Sequence, residues 1–395
     1  MLGVTAALIT ATSLAFGIAA LADGTGYTTN GYTNLGSFPE PQVCHGVDPA
    51  CYHDWGNFDP AKNGYRLLVY TKTAGPRHAD LGPPLAPGLD PPLTPANVVQ
   101  NALIRMGQQN GFKVDWTEDT SVFSSPATLF NYNAILFFTS RTVLDDAGQT
   151  SLRVYIEGGG AFIGVHNAFG TDYNWDWFRG LLGGAELYDH AALQTGTVDV
   201  LDPSDASTAS LPRTWTGEDE WYNLVPAPQG VRFLAAVDDR TLAQGQRGYY
   251  GDPGMGPFHP VTWCQYYDGG KAWLTTLGHD AGDWESPSAF PGAQYFQQML
   301  LGGMESAMGM KPFCQGFSRL CTETPRFMPL SAHSAAGTHV LVAGSGAAGL
   351  TAALTAARVP ASPWPNARTN SAAARLCRLA ACGFPQPVTW WRGTA

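Results

Sequence analysis

Gly158-Gly159-Gly160-Ala161-Phe162-Ile163-Gly164-Val165-His166-Asn167 is the stretch on which the fold turns. Three glycines end whatever precedes them, since glycine accepts the left-handed conformation that closes a helix. The five small or apolar residues that follow make a strand buried on both faces. His166-Asn167 then sets polar groups at its carboxyl end. Just upstream, Leu144 to Glu157 reads as a helix whose Asp145-Asp146 start complements the helix dipole. Further toward the N-terminus the short apolar run recurs at Arg66–Thr71, Phe112–Trp116 and Ala134–Phe138. Between the first two, Ala96–Gln109 carries Val98, Val99, Ala102, Leu103 and Met106 at helical spacing and is stopped by Asn110-Gly111. Downstream, strands are expected at Thr197–Leu201, Val231–Val237, Val261–Tyr266 and Ala272–Leu277, with a closing helix from Ala293 to Met308.

Strands alternating with helices build βαβ units. The expected fold is therefore α/β, a doubly wound, mainly parallel sheet of the flavodoxin-like or amidotransferase-like kind. The organisation expected is a signal segment over 1–22, an extended arm over 23–64, the α/β domain over 65–313 and a tail over 314–395. Composition narrows the function. The net charge is −10 with only 22 Lys and Arg in 395 residues. Those cations are not clustered, which excludes nucleic acid as a partner. Low charge density with 46 Gly, 29 Pro, 12 Trp and 15 Tyr fits an exported enzyme-like domain with long, shaped loops.

Leu2 to Leu21 is almost wholly apolar or small, and Ala20-Leu21-Ala22 matches a small-x-small cleavage pattern. A cleaved signal is the reading, with secretion or a periplasmic location and no stable membrane insertion; an uncleaved anchor is its rival. Seven cysteines leave at least one unpaired. Cys44 and Cys51 read as a small-loop disulfide, with a metal clip involving His45 and His53 as the alternative. Cys264 and Cys314 are candidates for a second bridge.

The tail holds Leu341-Val342-Ala343-Gly344-Ser345-Gly346-Ala347-Ala348-Gly349-Leu350, a strand running into GxGxxG, within 340–358. It resembles the FAD-binding start of flavin dehydrogenases. No second strand follows, and the acidic residue that would hold the ribose is missing. It reads as a truncated fusion or shifted gene end without a fold of its own, and FAD is not expected to bind.

In a doubly wound sheet, ligands bind beyond the carboxyl ends of the strands. The first strand leads to Lys72, Thr73, Arg77 and His78, and the third to Thr139, Ser140 and Arg141. The fourth leads to His166, Asn167 and Asp172, and a late strand to Gly278, His279 and Asp280. Four strands thus deliver polar, titratable groups to one edge, as a small-molecule site requires.

Those segments also carry a family likeness. KTAGPRH (72–78), GGGAFIGVHNAFGTDY (158–173), ELYDHAALQ (186–194), DEWYNL (219–224), HPVTWCQYYDGGKAWLTTLGHD (259–280) and LLGGMESAMG (300–309) resemble ThuA-like, trehalose-utilisation domains over roughly 65–313. The resemblance implies a class I glutamine amidotransferase-like fold and a link to disaccharide or keto-sugar metabolism. Pro76 stands where the pattern has Phe. His166 stands where the amidotransferase elbow holds its Cys nucleophile, so glutaminase chemistry through a thiolate is not expected.

The residues expected to act are His166, His279 and Glu220. Lys72, Arg77, His78, Arg141, Asn167, Asp172, Trp221 and His259 are expected to bind or orient substrate. His166, His190 and His279 form a candidate ligand set for Zn or Mn, since imidazoles leave an open position on such an ion. Trp175, Trp177, Trp221, Tyr222 and Trp284 are candidates for a sugar-stacking platform, with core packing as the plain alternative. Asp219 and Glu220, being adjacent in a strand, face opposite ways and are not expected to act as a carboxylate pair. The expected function is chemistry on a sugar or keto-sugar by histidine acid/base or metal-assisted catalysis. The alternative is a non-catalytic carbohydrate-binding or accessory protein.

Overall fold

The computed structural model describes residues 43–245, 247–249, 254–285 and 290–315. The presumed signal segment, the first part of the arm and the GxGxxG segment lie outside the described residues.

In chain order the strands are β1 (His45–Gly46), β2 (Tyr65–Tyr70), β3 (Phe112–Thr117), β4 (Ala134–Phe137), β5 (Ala161–Val165), β6 (Leu187–His190), β7 (Gln194–Val200), β8 (Thr214–Asp219), β9 (Tyr222–Leu224), β10 (Arg232–Val237), β11 (His259–Tyr267) and β12 (Gly270–Thr275). The helices are α1 (Pro60–Asn63), α2 (Val98–Asn110), α3 (Pro126–Leu129), α4 (Asp146–Glu157), α5 (Asp176–Leu181), α6 (Ala281–Trp284) and α7 (Ala293–Ala307). One sheet runs in the order β3-β2-β4-β5-β12-β11-β10-β7-β8, with β1 added beside β11. The first five strands are parallel and the rest antiparallel. This is the expected α/β sheet with helices on both faces, parallel through the five strands whose loops carry His78, His166 and His279 and antiparallel through the rest. A separate ribbon pairs β6 with β9.

The period of two along β2 shows why both faces are covered. Leu67 and Val69 point into one core with α2 and α7, while Leu68 and Tyr70 point into the other with α4 and α5. A strand buried on both sides must be apolar throughout, which is why these runs stood out in the sequence. The start of α4 is set by Asp145, whose carboxylate accepts the Gly148 N–H at 2.8 Å. Cys44–Cys51 and Cys264–Cys314 are both disulfides. Such bonds persist in oxidising compartments such as the periplasm or cell exterior. The described part of the arm is not irregular throughout: β1 pairs with β11, and His53 donates to the Glu157 carbonyl at 2.7 Å. Among the described residues no helix is long and apolar enough to cross a membrane.

Candidate active site

The chain goes from β2 outward to β3 and then back past β2 to β4, so the strand order reverses between β2 and β4. At such a reversal the loops diverge and leave a crevice. The loop after β2 carries His78 and is tied down by Ser140, whose hydroxyl donates to the Pro76 carbonyl at 2.7 Å. His166 sits directly beyond β5, at φ 47°, in the left-handed region that a bulky side chain rarely occupies. Such strain persists where the surroundings hold it. Here Nδ1–H donates to the Thr276 carbonyl at 2.8 Å, with the ring fully buried. A carbonyl can only accept, so Nδ1 carries the proton and Nε2 presents a lone pair. His279 follows β12 on a turn through Gly278, at φ 110°. Asp219, at the end of β8, fixes that turn by accepting the Gly278 N–H at 2.8 Å through one oxygen. Its other oxygen accepts the Glu220 N–H at 2.8 Å.

These elements bring four groups to one point. His166 Nε2 lies 3.2 Å from His78 Nε2, 3.3 Å from His279 Nδ1 and 3.9 Å from Glu220 Oε2. His279 Nδ1 is 3.0 Å from the same Glu220 oxygen. One donor atom from each of the four lies within 4.8 Å of all the others, an arrangement able to hold a metal ion. The Tyr222 hydroxyl, from β9, is 2.8 Å from His166 Nε2 and donates to it. Burial, reinforced by His78 and His279, holds the His166 imidazole well below its ordinary pKa and therefore neutral. Burial, then the neighbouring His279, pushes His78 down to about 4. His279 goes the other way. Burial opposes its charge, but the hydrogen-bonded Glu220 carboxylate more than offsets that and raises it.

His78, His190 and Tyr222 face a half-open cleft of about 180 Å³, whose walls include Arg141, Asn167 and three further tyrosines, Tyr173, Tyr188 and Tyr249. His190 stands beside the four-group cluster rather than in it, with Nδ1 3.4 Å from Glu220 Oε2 and 2.9 Å from the Ala191 carbonyl. The expected trio of His166, His190 and His279 is thus corrected to His78, His166, Glu220 and His279.

Other expected site residues lie elsewhere. Arg77 closes its own loop, donating to the carbonyls of Gly82, Leu81 and Pro83 and pairing with Glu118 at 2.8 Å. Lys72 donates to Thr120 Oγ1. Both nitrogens of His259 are used, one on Asp239 at 2.6 Å and one on the Tyr222 carbonyl at 2.9 Å, so it supports β9 and does not reach the cleft. Trp221 is core, its indole N–H on the Gln194 carbonyl. Asp172 is buried at φ 46° and lines no part of the cleft. The tryptophan platform also fails to form. Trp177 and Trp284 are buried, and Trp175 stacks on Trp177 at 4.9 Å. The cleft is walled by tyrosines instead. Tyr173 and Tyr188 were not singled out, although Tyr173 closes the same motif that contains His166.

A model described as ThuA, trehalose utilisation, matches residues 66–307, more than half of the chain. The chain belongs to the ThuA family. The ThuA-family region therefore contains all four converging groups and the whole parallel half of the sheet. Among solved structures, a protein described as ThuA-like from Bacteroides uniformis is 19% identical. It covers 62% of this chain and 91% of its own, with a TM-score of 0.48. One so described from Parabacteroides merdae is 16% identical, covers 62% of this chain and 91% of its own, and has a TM-score of 0.45. No curated protein matches the chain.

Proposed function

We propose that this ThuA-family protein is an exported enzyme acting on a sugar or keto-sugar, with proton transfer or carbonyl polarisation at the His78/His166/Glu220/His279 cluster. The observation that carries this reading is the convergence of three imidazoles and a carboxylate where the tyrosine-walled cleft meets the strand ends. Imidazoles of shifted pKa, each held by a defined partner, are the equipment of acid/base catalysis, directly or through a cation they bind. Tyrosine rings offer apolar faces for a sugar ring and hydroxyls for its edges. The cleft volume is below the roughly 300–1,000 Å³ of pockets for drug-sized ligands, which favours one sugar residue engaged at a time. The trehalose-utilisation description of the family agrees with that substrate class.

The test is mass-spectrometric turnover of a panel of disaccharides and their keto derivatives by the full chain. Conversion of at least one member is expected, with His166→Ala slowing it by about 10²–10⁴-fold. Saturable binding with no conversion would make this a carbohydrate-binding accessory protein. Equal turnover by His166→Ala would remove the cluster from the mechanism.

A further inference from the structure

We infer that His78 Nε2, His166 Nε2, His279 Nδ1 and Glu220 Oε2 are the ligands of one first-row divalent cation of the zinc or manganese class. This deepens the reading of the same cluster given above and rests on it for the role of the ion. The first argument is geometric. Bonds of about 2.0–2.1 Å from a tetrahedral ion place ligand atoms about 3.3 Å apart. Four of the separations here are 3.0, 3.2, 3.3 and 3.9 Å. The cluster therefore has nearly the dimensions of a filled coordination shell before any ion enters.

The second argument is an excess of contacts on one lone pair. Thr276 fixes the His166 proton on Nδ1, leaving Nε2 able to accept one hydrogen. Three groups crowd that lone pair: His78 Nε2, His279 Nδ1 and the Tyr222 hydroxyl at 2.8 Å. A protein interior that only needed hydrogen bonds satisfied would not aim two further ring nitrogens at one acceptor. A cation turns the three nitrogens from competitors into ligands. The Thr276 carbonyl is then the outer partner that holds a ligand imidazole in its orientation, as metal-bound histidines require. Three nitrogens and one carboxylate oxygen suit zinc or manganese better than calcium or magnesium, which prefer oxygen throughout. Once His166 Nε2 is taken by the ion, the Tyr222 hydroxyl loses its acceptor. With an ion bound it would be free to donate to a substrate oxygen in the cleft that it lines.

The experiment is to strip the full chain with chelator, titrate it with Zn²⁺ and separately with Mn²⁺, and count retained ions by mass spectrometry after desalting. One ion per chain is expected. His78→Gln and Glu220→Gln should each weaken binding at least tenfold. Because His166→Ala deletes a fully buried ring and so disturbs folding, Co²⁺ loading of the unaltered chain provides a second readout. Intense visible d–d bands are expected from low-coordinate nitrogen–oxygen ligation. Absence of a retained ion, or equal retention by both variants, overturns the inference. One ion retained, with sugar conversion undiminished in the metal-free chain, supports the site and limits the ion to a structural role, leaving the enzyme reading intact. One ion bound with no sugar converted supports the metal site and removes the sugar reading.

Discussion

Tyr222 and Asp172 show how differently two polar side chains near one strand edge can serve. Tyr222 meets the cluster in two ways, its hydroxyl donating to His166 Nε2 at 2.8 Å and its ring packing against the His166 ring at 4.4 Å between centroids. Tyr222→Phe keeps the ring and its packing, so the fold should be unchanged by circular dichroism. We expect kcat to fall by about 10–100-fold with KM nearly constant, the sign of an interaction made mainly in the transition state. A rise in KM alone would make the hydroxyl a binding group. Asp172 is a matter of stability. Burial pushes its carboxyl up to about 7, partly opposed by the Val143 backbone. Between about pH 4 and 7 the folded chain therefore binds more protons than the unfolded one, and stability falls as pH rises through that window. Asp172→Asn removes this slope, and Asn tolerates the left-handed backbone at this position. The variant should gain on the parent by on the order of 4 kcal/mol between about pH 4 and pH 8, as read by urea unfolding. An equal difference at both pH values would show that the carboxyl keeps its ordinary pKa.

Among the elements, β8 does the most for the site and was the hardest to read. Thr214–Asp219 pairs only with β7, and its buried positions alternate through Trp215, Gly217 and Asp219. Apart from Trp215 this edge strand is Thr, Gly, Glu and Asp, which lack the apolar run that marks a central strand, so only its end at Asp219 reads as extended. The strands of the ribbon, four residues in β6 and three in β9, are too short to leave a period in the sequence, and the placement of His190 and Tyr222 is hidden with them. By contrast, β2, β4, β5 and β12, and the helices α2, α4 and α7, were legible because burial on two faces or a 3.6-residue stripe leaves its pattern in the residues. The carboxylate of Asp219 joins β8 to the turn that presents His279. Asp219→Ala leaves the Gly278 and Glu220 N–H groups without their acceptor. A loss of about 2–4 kcal/mol in unfolding free energy is expected, with weaker metal retention. If stability drops with retention intact, the carboxylate supports the fold and does not position the ligands.

At the scale of the molecule, Cys264–Cys314 links central β11 to the segment after α7, closing a loop of 50 residues in sequence separation. Replacing both cysteines by Ser should cost about 2–4 kcal/mol in chemical unfolding, since the cross-link restricts the unfolded chain. No change would mean that α7 is held by its packing alone. The α/β class and the parallel strands follow from the residues alone, while both disulfide pairings and three of the four converging groups (His166, His279 and Glu220, with His78 expected only to bind substrate) stand in the sequence as candidates that the structure brings together. Burial and strand ends are local matters, and a chain records them in order. The choice of His78 over His190 is not local, nor are the removal of His259 and Trp221 into structural roles and the tyrosine walls of the cleft. His78 and His279 lie 88 and 113 positions from His166. Whether their nitrogens meet depends on the order of strands in the sheet and on turns such as Gly278. Only tertiary packing decides those distances.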